Sequence, residues 1–259
     1  MEHSVTDDHP ASPMGSVDKA LQALLLLAAS DPQGLTLSEM STRMQINKAT
    51  LHRTLAALRF RGFVDQDLTN SRYRLGHAAL NLGSRYLSEE GLPSLLHPVL
   101  VDICTMSEEL CHLGRLENTG VVYLDKVEPI RPIRVWSAIG MVKPAATTAM
   151  GRAIIAALPF DRESIRPLAG TPSERDRLWD AIVTAREHGY ASEIGETESG
   201  IGCVAVAIRH ETRAVAAVSL TVPVDRLTPA RIDELGQLLI KTLDERLPVP
   251  LSVGVVSAD

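Results

Sequence analysis

The sequence predicts an α+β chain of two domains: a small helical one closed by a β-hairpin, then a larger one on an antiparallel sheet. Apolar residues recur at helical spacing in three short segments between residues 17 and 61. Alternation of period two around an Asx-containing turn follows directly, between Gly62 and Gly76. The remainder alternates hairpin-like strand pairs with helices, the pattern of helices laid against an antiparallel sheet. A length of 259 residues suffices for two modest domains. With 45% apolar but only 3% aromatic residues, their cores must be built from Leu, Val, Ile and Ala.

The first helix is expected over Val17 to Ala29, with Val17, Leu21, Leu24, Leu25 and Ala28 on its apolar stripe. Ser30-Asp31-Pro32-Gln33-Gly34 ends it. Thr36 is placed to cap a short second helix, and Glu39 three residues on completes a capping box. That helix stops near Met44, and Asn47 can cap a third running to about Arg61. Leu51, Leu55 and Leu58 form the hidden stripe of the third helix, opposite Ala49, His52, Arg53 and Ala56. The 62–76 hairpin then reads as a wing, with Arg72 and Arg74 available to phosphate or a minor groove.

Two short helices joined by a tight turn, the second with a small, polar, basic outer face, describe a helix-turn-helix. Ala49 and Ala56 let the backbone approach base edges, while His52 and Arg53 can donate to purine acceptors. Lys48 and Thr50, in the first turn, can meet phosphate. A whole-chain charge of −6 argues against a nucleic-acid partner until it is divided along the chain. Residues 15–76 carry eight Lys/Arg against five Asp/Glu, and the acidic excess lies elsewhere. A basic module on an acidic one fits a DNA reader coupled to a domain that does not touch DNA. The plainer alternative is a small helical core with a solvated basic face.

The stretch from Ser16 to Leu87 resembles the N-terminal domain of the IclR family of transcriptional regulators. The resemblance is carried by SVDKALQALLLLA, LTLSEMSTRM, NKATLHRTLAALRFRGFV and SRYRLGHAALNLG, and it continues through the second half of the chain. It implies a winged helix-turn-helix over 15–76, a linker helix over 77–91 and a GAF-like effector-binding domain over 92–248. Residues 1–14 and 249–259 are expected to be tails. It also implies a palindromic double-stranded operator, a small carboxylate effector, and a homodimer or dimer of dimers.

In the second domain, a helix from Pro93 is expected to carry Leu96, Val99, Ile103, Met106 and Leu110 on one stripe. Strands are expected over Cys111 to Glu117, Val121 to Val127, Ile133 to Ala138, Cys203 to Arg209 and Ala214 to Val222. Helices are expected over Ala149 to Leu158, Ser173 to His188 and Pro229 to Arg246. The loop from Ile139 to Thr148 feeds a helix N-terminus, where free N–H groups can hold an anion. By resemblance, the backbone N–H groups of Ala149 and Met150 complete an effector pocket with Glu193, Cys203, Ser219 and Thr221. The last two, separated by two residues, share one strand face. Ala145 and Ala146 stand where the family often has bulkier side chains, which leans the expected effector toward an aromatic or branched acid.

Plainer readings stand beside these. Cys203 can be a small buried apolar residue, Glu196 and Glu198 a solvated loop, and Trp136 core or ligand stack alike. Cys104, Cys111 and His112 lack the compact pairing of a zinc site, and no metal or cofactor is expected. Three scattered cysteines make no disulfide framework. No apolar run approaches the roughly 18 residues of a membrane span, and the polar N-terminus lacks a signal peptide's apolar core. The expectation is a cytoplasmic protein. An enzyme is the alternative from another class, but no nucleophile elbow, P-loop or metal motif is present. A ligand-independent architectural DNA binder is the third.

Overall fold

A computed structural model describes residues 15–130 and 137–254, and its contacts divide the chain into two units, up to Glu89 and from Glu90 on. The strand expected over Ile133 to Ala138, Trp136 and the N-terminal tail lie wholly or mostly outside the described residues. In the first unit, α1 spans Gly15–Ala28, α2 Leu37–Met44 and α3 Lys48–Phe60. The capping box forms as the spacing predicts: Thr36 Oγ1 accepts from the Glu39 N–H, and Glu39 accepts from the Thr36 N–H. The Asn47 side chain accepts from the Thr50 N–H at 2.8 Å and starts α3. Strands β1 (Val64–Gln66) and β2 (Tyr73–Leu75) pair antiparallel, with Asp65 opposite Arg74. Their turn is held by Asp67 and Asn70, which accept from the Thr69 and Arg72 N–H groups.

Ala23, Leu27, Leu35, Met40, Leu51, Leu55, Val64 and Tyr73 are buried together in this unit. The stripe on α1 differs from the expected one. Ala23 and Leu27 turn inward, while Val17, Leu21 and Leu25 are 47%, 54% and 70% exposed. A run of four leucines gives α1 two apolar faces, and periodicity alone does not say which faces the core. Helix α4 (His77–Glu90) follows the wing.

In the second unit α5 (Leu92–Ser107) leads into β3 (Leu110–Glu117) and β4 (Gly120–Val127), then β5 (Val142–Pro144). Helices α6 (Ala149–Ala156) and α7 (Pro172–His188) precede β6 (Ala191–Ile194), β7 (Ile201–His210) and β8 (Arg213–Pro223). Helix α8 (Pro229–Arg246) and β9 (Leu251–Val253) complete it. The antiparallel sheet runs β5-β4-β3-β8-β7-β6, and β9 pairs with the far end of β7. Leu110 belongs to β3, not to the α5 stripe, because Glu108 turns left-handed at φ 56° and ends the helix; Met106 is exposed. The stretch from 249 is likewise no simple tail. Leu251 and Val253 pack on the core, and Ile208 pairs with Val253.

Alternation along the strands sends neighbours to opposite faces. On β7 and β8, Val204, Val206, Leu220 and Val222 pack with α5 and α8 residues, including Leu96, Ile103, Leu235 and Leu239. Ala205, Ala207 and Ala217 pack with α6 and α7 residues, including Ile154, Leu178 and Ile182. Alanines on that second face let α6 lie close to the sheet. Gly151 carries the same logic further, since a Cβ there would stand 2.2 Å from the Ala145 carbonyl oxygen.

Candidate functional site

On α3, Leu51 and Leu55 are fully buried, and Leu58 is partly so. Lys48, Ala49, His52, Arg53 and Ala56 are exposed, and Thr50 is half-buried. The outer face is therefore the small, polar, basic one that the sequence indicates. Of the two wing arginines, Arg72 has partners within the domain that the sequence does not indicate, and Arg74 is available as expected. Arg72 donates to the Gly34 carbonyl at 2.8 Å and pairs with Glu39 at 3.3 Å. Its guanidinium is committed inside the domain, where it ties the wing to the turn before α2 and to the α2 capping box. Arg74 is more than half exposed, 3.8 Å from Asp67.

In the second unit, a small cavity of about 30 Å³ opens on the α6 side of the sheet. Glu193 of β6, Cys203 of β7 and Thr221 of β8 line it, as the register of Glu193 opposite Cys203 and Cys203 opposite Thr221 requires. Ser219 shares the face of Thr221 and is buried opposite His112 and Ala205, but it does not line the cavity. Ala149 and Met150 do not line it either. Thr148 caps α6 by accepting from the Gly151 N–H at 3.2 Å, and Met150 packs over Gly114 of β3. Ala145 is buried beneath Gly151, and the Ala146 carbonyl accepts from Arg152 at 3.0 Å. Neither alanine lines the cavity.

His112, Tyr123, Ser137, Met141, Lys143, Thr197, Glu198 and Ile201 complete the lining. Sequence reading passed over most of these because they come from β3, β4, β5 and two loops, far apart in the chain. His112 is the centre of a polar chain. Its Nε2 is 2.8 Å from Ser137 Oγ, its Nδ1 is 3.3 Å from Thr221 Oγ1, and Thr221 Oγ1 is 3.4 Å from Cys203 Sγ. The Tyr123 ring stands 4.8 Å from that of His112. Burial, helped by the Lys126 ammonium, pushes His112 down to about 4. Burial pushes the Cys203 thiol and the Tyr123 hydroxyl up, so both stay protonated at neutral pH. Burial also raises the Glu193 carboxyl, against the lowering effect of the Glu196 N–H at 3.0 Å. Cys111, next to His112, faces the α5 side with Cys104, so these groups do not converge.

The segment 195–200 between β6 and β7 is fastened at several points. Arg152, with its side chain only 6% exposed, holds Glu196 bidentately at 2.8 and 2.5 Å. Thr197 Oγ1 donates to the Thr147 carbonyl at 2.8 Å, and the Glu193 carboxylate accepts from the 196 and 197 N–H groups. Both glutamates are exposed, as a solvated glutamate-rich loop suggests, but Glu196 is also an anchor for the segment and Glu198 borders the cavity.

A helix-turn-helix with a wing, followed in one chain by a sheet domain with a small, partly open cavity, defines a ligand-sensing transcriptional regulator. Residues 16–68 match the IclR helix-turn-helix domain, and residues 84–245 match the bacterial transcriptional regulator IclR C-terminal domain. The chain belongs to the IclR family. It is 32% identical over 233 residues to the HTH-type transcriptional regulator XynR of Escherichia coli K12, covering 86% of this chain and 92% of that protein. The crystal structure of the Thermotoga maritima IclR is similar at a TM-score of 0.71 and 28% identity, over 88% of this chain and 96% of that one. An IclR homologue from Microbacterium hydrocarbonoxydans, crystallised with 4-hydroxybenzoate, shares the fold at a TM-score of 0.70 and 21% identity, over 88% and 97%.

Proposed function

We propose that this regulator binds a palindromic operator as a dimer and changes its occupancy when a small organic acid enters the cavity of the second domain. The observation that carries the reading is the division of α3: Leu51 and Leu55 buried, His52 and Arg53 outward beside Ala49 and Ala56. Small residues permit close approach of the backbone to base edges, and the two donors suit purine acceptors. Lys48, Thr50 and Arg74 are assigned to the phosphate backbone, and Arg72 to holding the wing in place. The exposed Val17, Leu21 and Leu25 of α1 support self-association, since two recognition helices about one DNA turn apart need a partner copy. The cavity lining is rich in hydrogen-bonding groups, which favours an effector with hydroxyl or carbonyl groups over a purely aromatic body.

The test is a gel shift on DNA from upstream of the protein's own gene, titrated with organic acids. Arg53→Ala should weaken the specific complex by about 1–3 kcal/mol and relax preference at one position of each half-site. Lys48→Ala should weaken all sequences alike and lower the salt slope by about 1. If Arg53→Ala leaves affinity and preference untouched, α3 does not read the bases.

A further inference from the structure

An acid inside the cavity needs a counter-charge, and the lining offers few. His112 is neutral at physiological pH, and Tyr123 and Cys203 carry their protons. Glu193 has the wrong sign, and its carboxyl already accepts from the N–H groups of Glu196 and Thr197. Among the described residues, Lys143 is the one cation of the lining. It stands on the edge strand β5, opposite Val121 of β4. Its ammonium is 4.0 Å from the Glu198 carboxylate, too long for a hydrogen bond. Segment 195–200 gives two residues to the lining, Thr197 and Glu198. Thr197 is tied to the Thr147 carbonyl and Glu196 to Arg152, while among the described residues the Glu198 carboxylate has only the long contact to Lys143.

We propose that Lys143 receives the acid group of the effector, and that Glu198 loosely holds this position in the ligand-free protein. The proposal rests on the cavity being the effector site and moves the anion away from the α6 N-terminus. A carboxylate entering beside Lys143 exchanges a long contact for a short charge-assisted hydrogen bond. It also places like charge against Glu198. That repulsion acts on a segment latched to α6 through Arg152 and to the loop before α6 through Thr197. One cation facing Glu193 and Glu198 selects a single negative charge. The effector class is a small monocarboxylic acid whose other polar groups, hydroxyl or carbonyl, meet Ser137, His112, Tyr123 and Thr221.

The experiment measures binding to the full-length protein by calorimetry and thermal shift. The probes are pyruvate, D-gluconate and 4-hydroxybenzoate, the amide of each, and succinate as a dianion. At least one monocarboxylate should bind, its amide and succinate should not, and Lys143→Met should weaken it by about tenfold to a hundredfold. Lys143→Arg should retain part of the affinity, and Glu198→Gln should tighten binding several-fold. Melting temperatures without ligand serve as the folding control. Equal affinity in wild type and Lys143→Met, with loss in Thr221→Val, would overturn the role of Lys143 and keep the cavity as the site. Binding that survives both substitutions puts the effector elsewhere and overturns the function reading as well. A panel in which no monocarboxylate binds overturns the acid class.

Discussion

His112 shows how one buried side chain ties the sensor to pH. It is 2% exposed, and its protonation falls from the ordinary 6.5 to about 4. Lys126, Glu128, Tyr123, Ser137, Ser219 and Thr221 are charged and polar groups around it. Between those two values the unfolded chain binds a proton that the folded chain refuses, so stability falls as pH drops through the window. Above about 6.5 this residue adds no slope. Urea unfolding should show wild type losing about 2–3 kcal/mol more than His112→Gln between pH 7 and pH 4.5. Equal losses would mean that the imidazole is not held neutral. Arg72 teaches a different lesson at the same scale. From sequence it is one more wing arginine, but Gly34 and Glu39 lie 38 and 33 positions away along the chain and claim its guanidinium. A pattern of local residues cannot reveal a partner brought by folding.

Helix α1 is where element-scale reasoning meets its limit. Ala23 and Leu27 fill the core while Val17, Leu21 and Leu25 form a second stripe outside, with Leu80 and Leu82 of α4 also exposed. Leu21→Glu should leave the monomer folded, because a residue 54% exposed adds little to the core. It should shift the protein toward monomer in analytical ultracentrifugation and weaken operator binding with it. An unchanged dimer would place self-association on another surface. Helices with caps were legible to within a residue or two: Thr36 with Glu39, Asn47, and the full span of α8. The three-residue strands β5 and β9 were not. Each pairs at an edge, and its strand character comes from a partner (Val142 on Val122, Val253 on Ile208) more than from its own residues.

At the scale of the molecule, the two domains were legible because each period of apolar residues matches its own architecture, while half of the cavity was not. Glu193, Cys203 and Thr221 could be matched through one family-like segment and its neighbouring strand, but Lys143, Tyr123 and Ser137 converge only in three dimensions. The pairing of β9 with β7 is also a property of the whole chain. A chain ending at Leu247 should lose the Leu251 and Val253 packing and the bond from the Gly254 N–H to the Ala207 carbonyl. Each 1 kcal/mol so lost should lower the melting temperature by about 2–4 °C. An unchanged melting temperature would mean that β9 adds nothing to the domain. The two-sided sheet has a genetic corollary. On β7 and β8, Cys203 and Thr221 face the cavity, while Val204, Leu220 and Val222, between and beside them in the strands, face the opposite core. On the proposed reading, codons 203 and 221 can drift toward a different metabolite while the codons for the opposite face keep the framework unaltered.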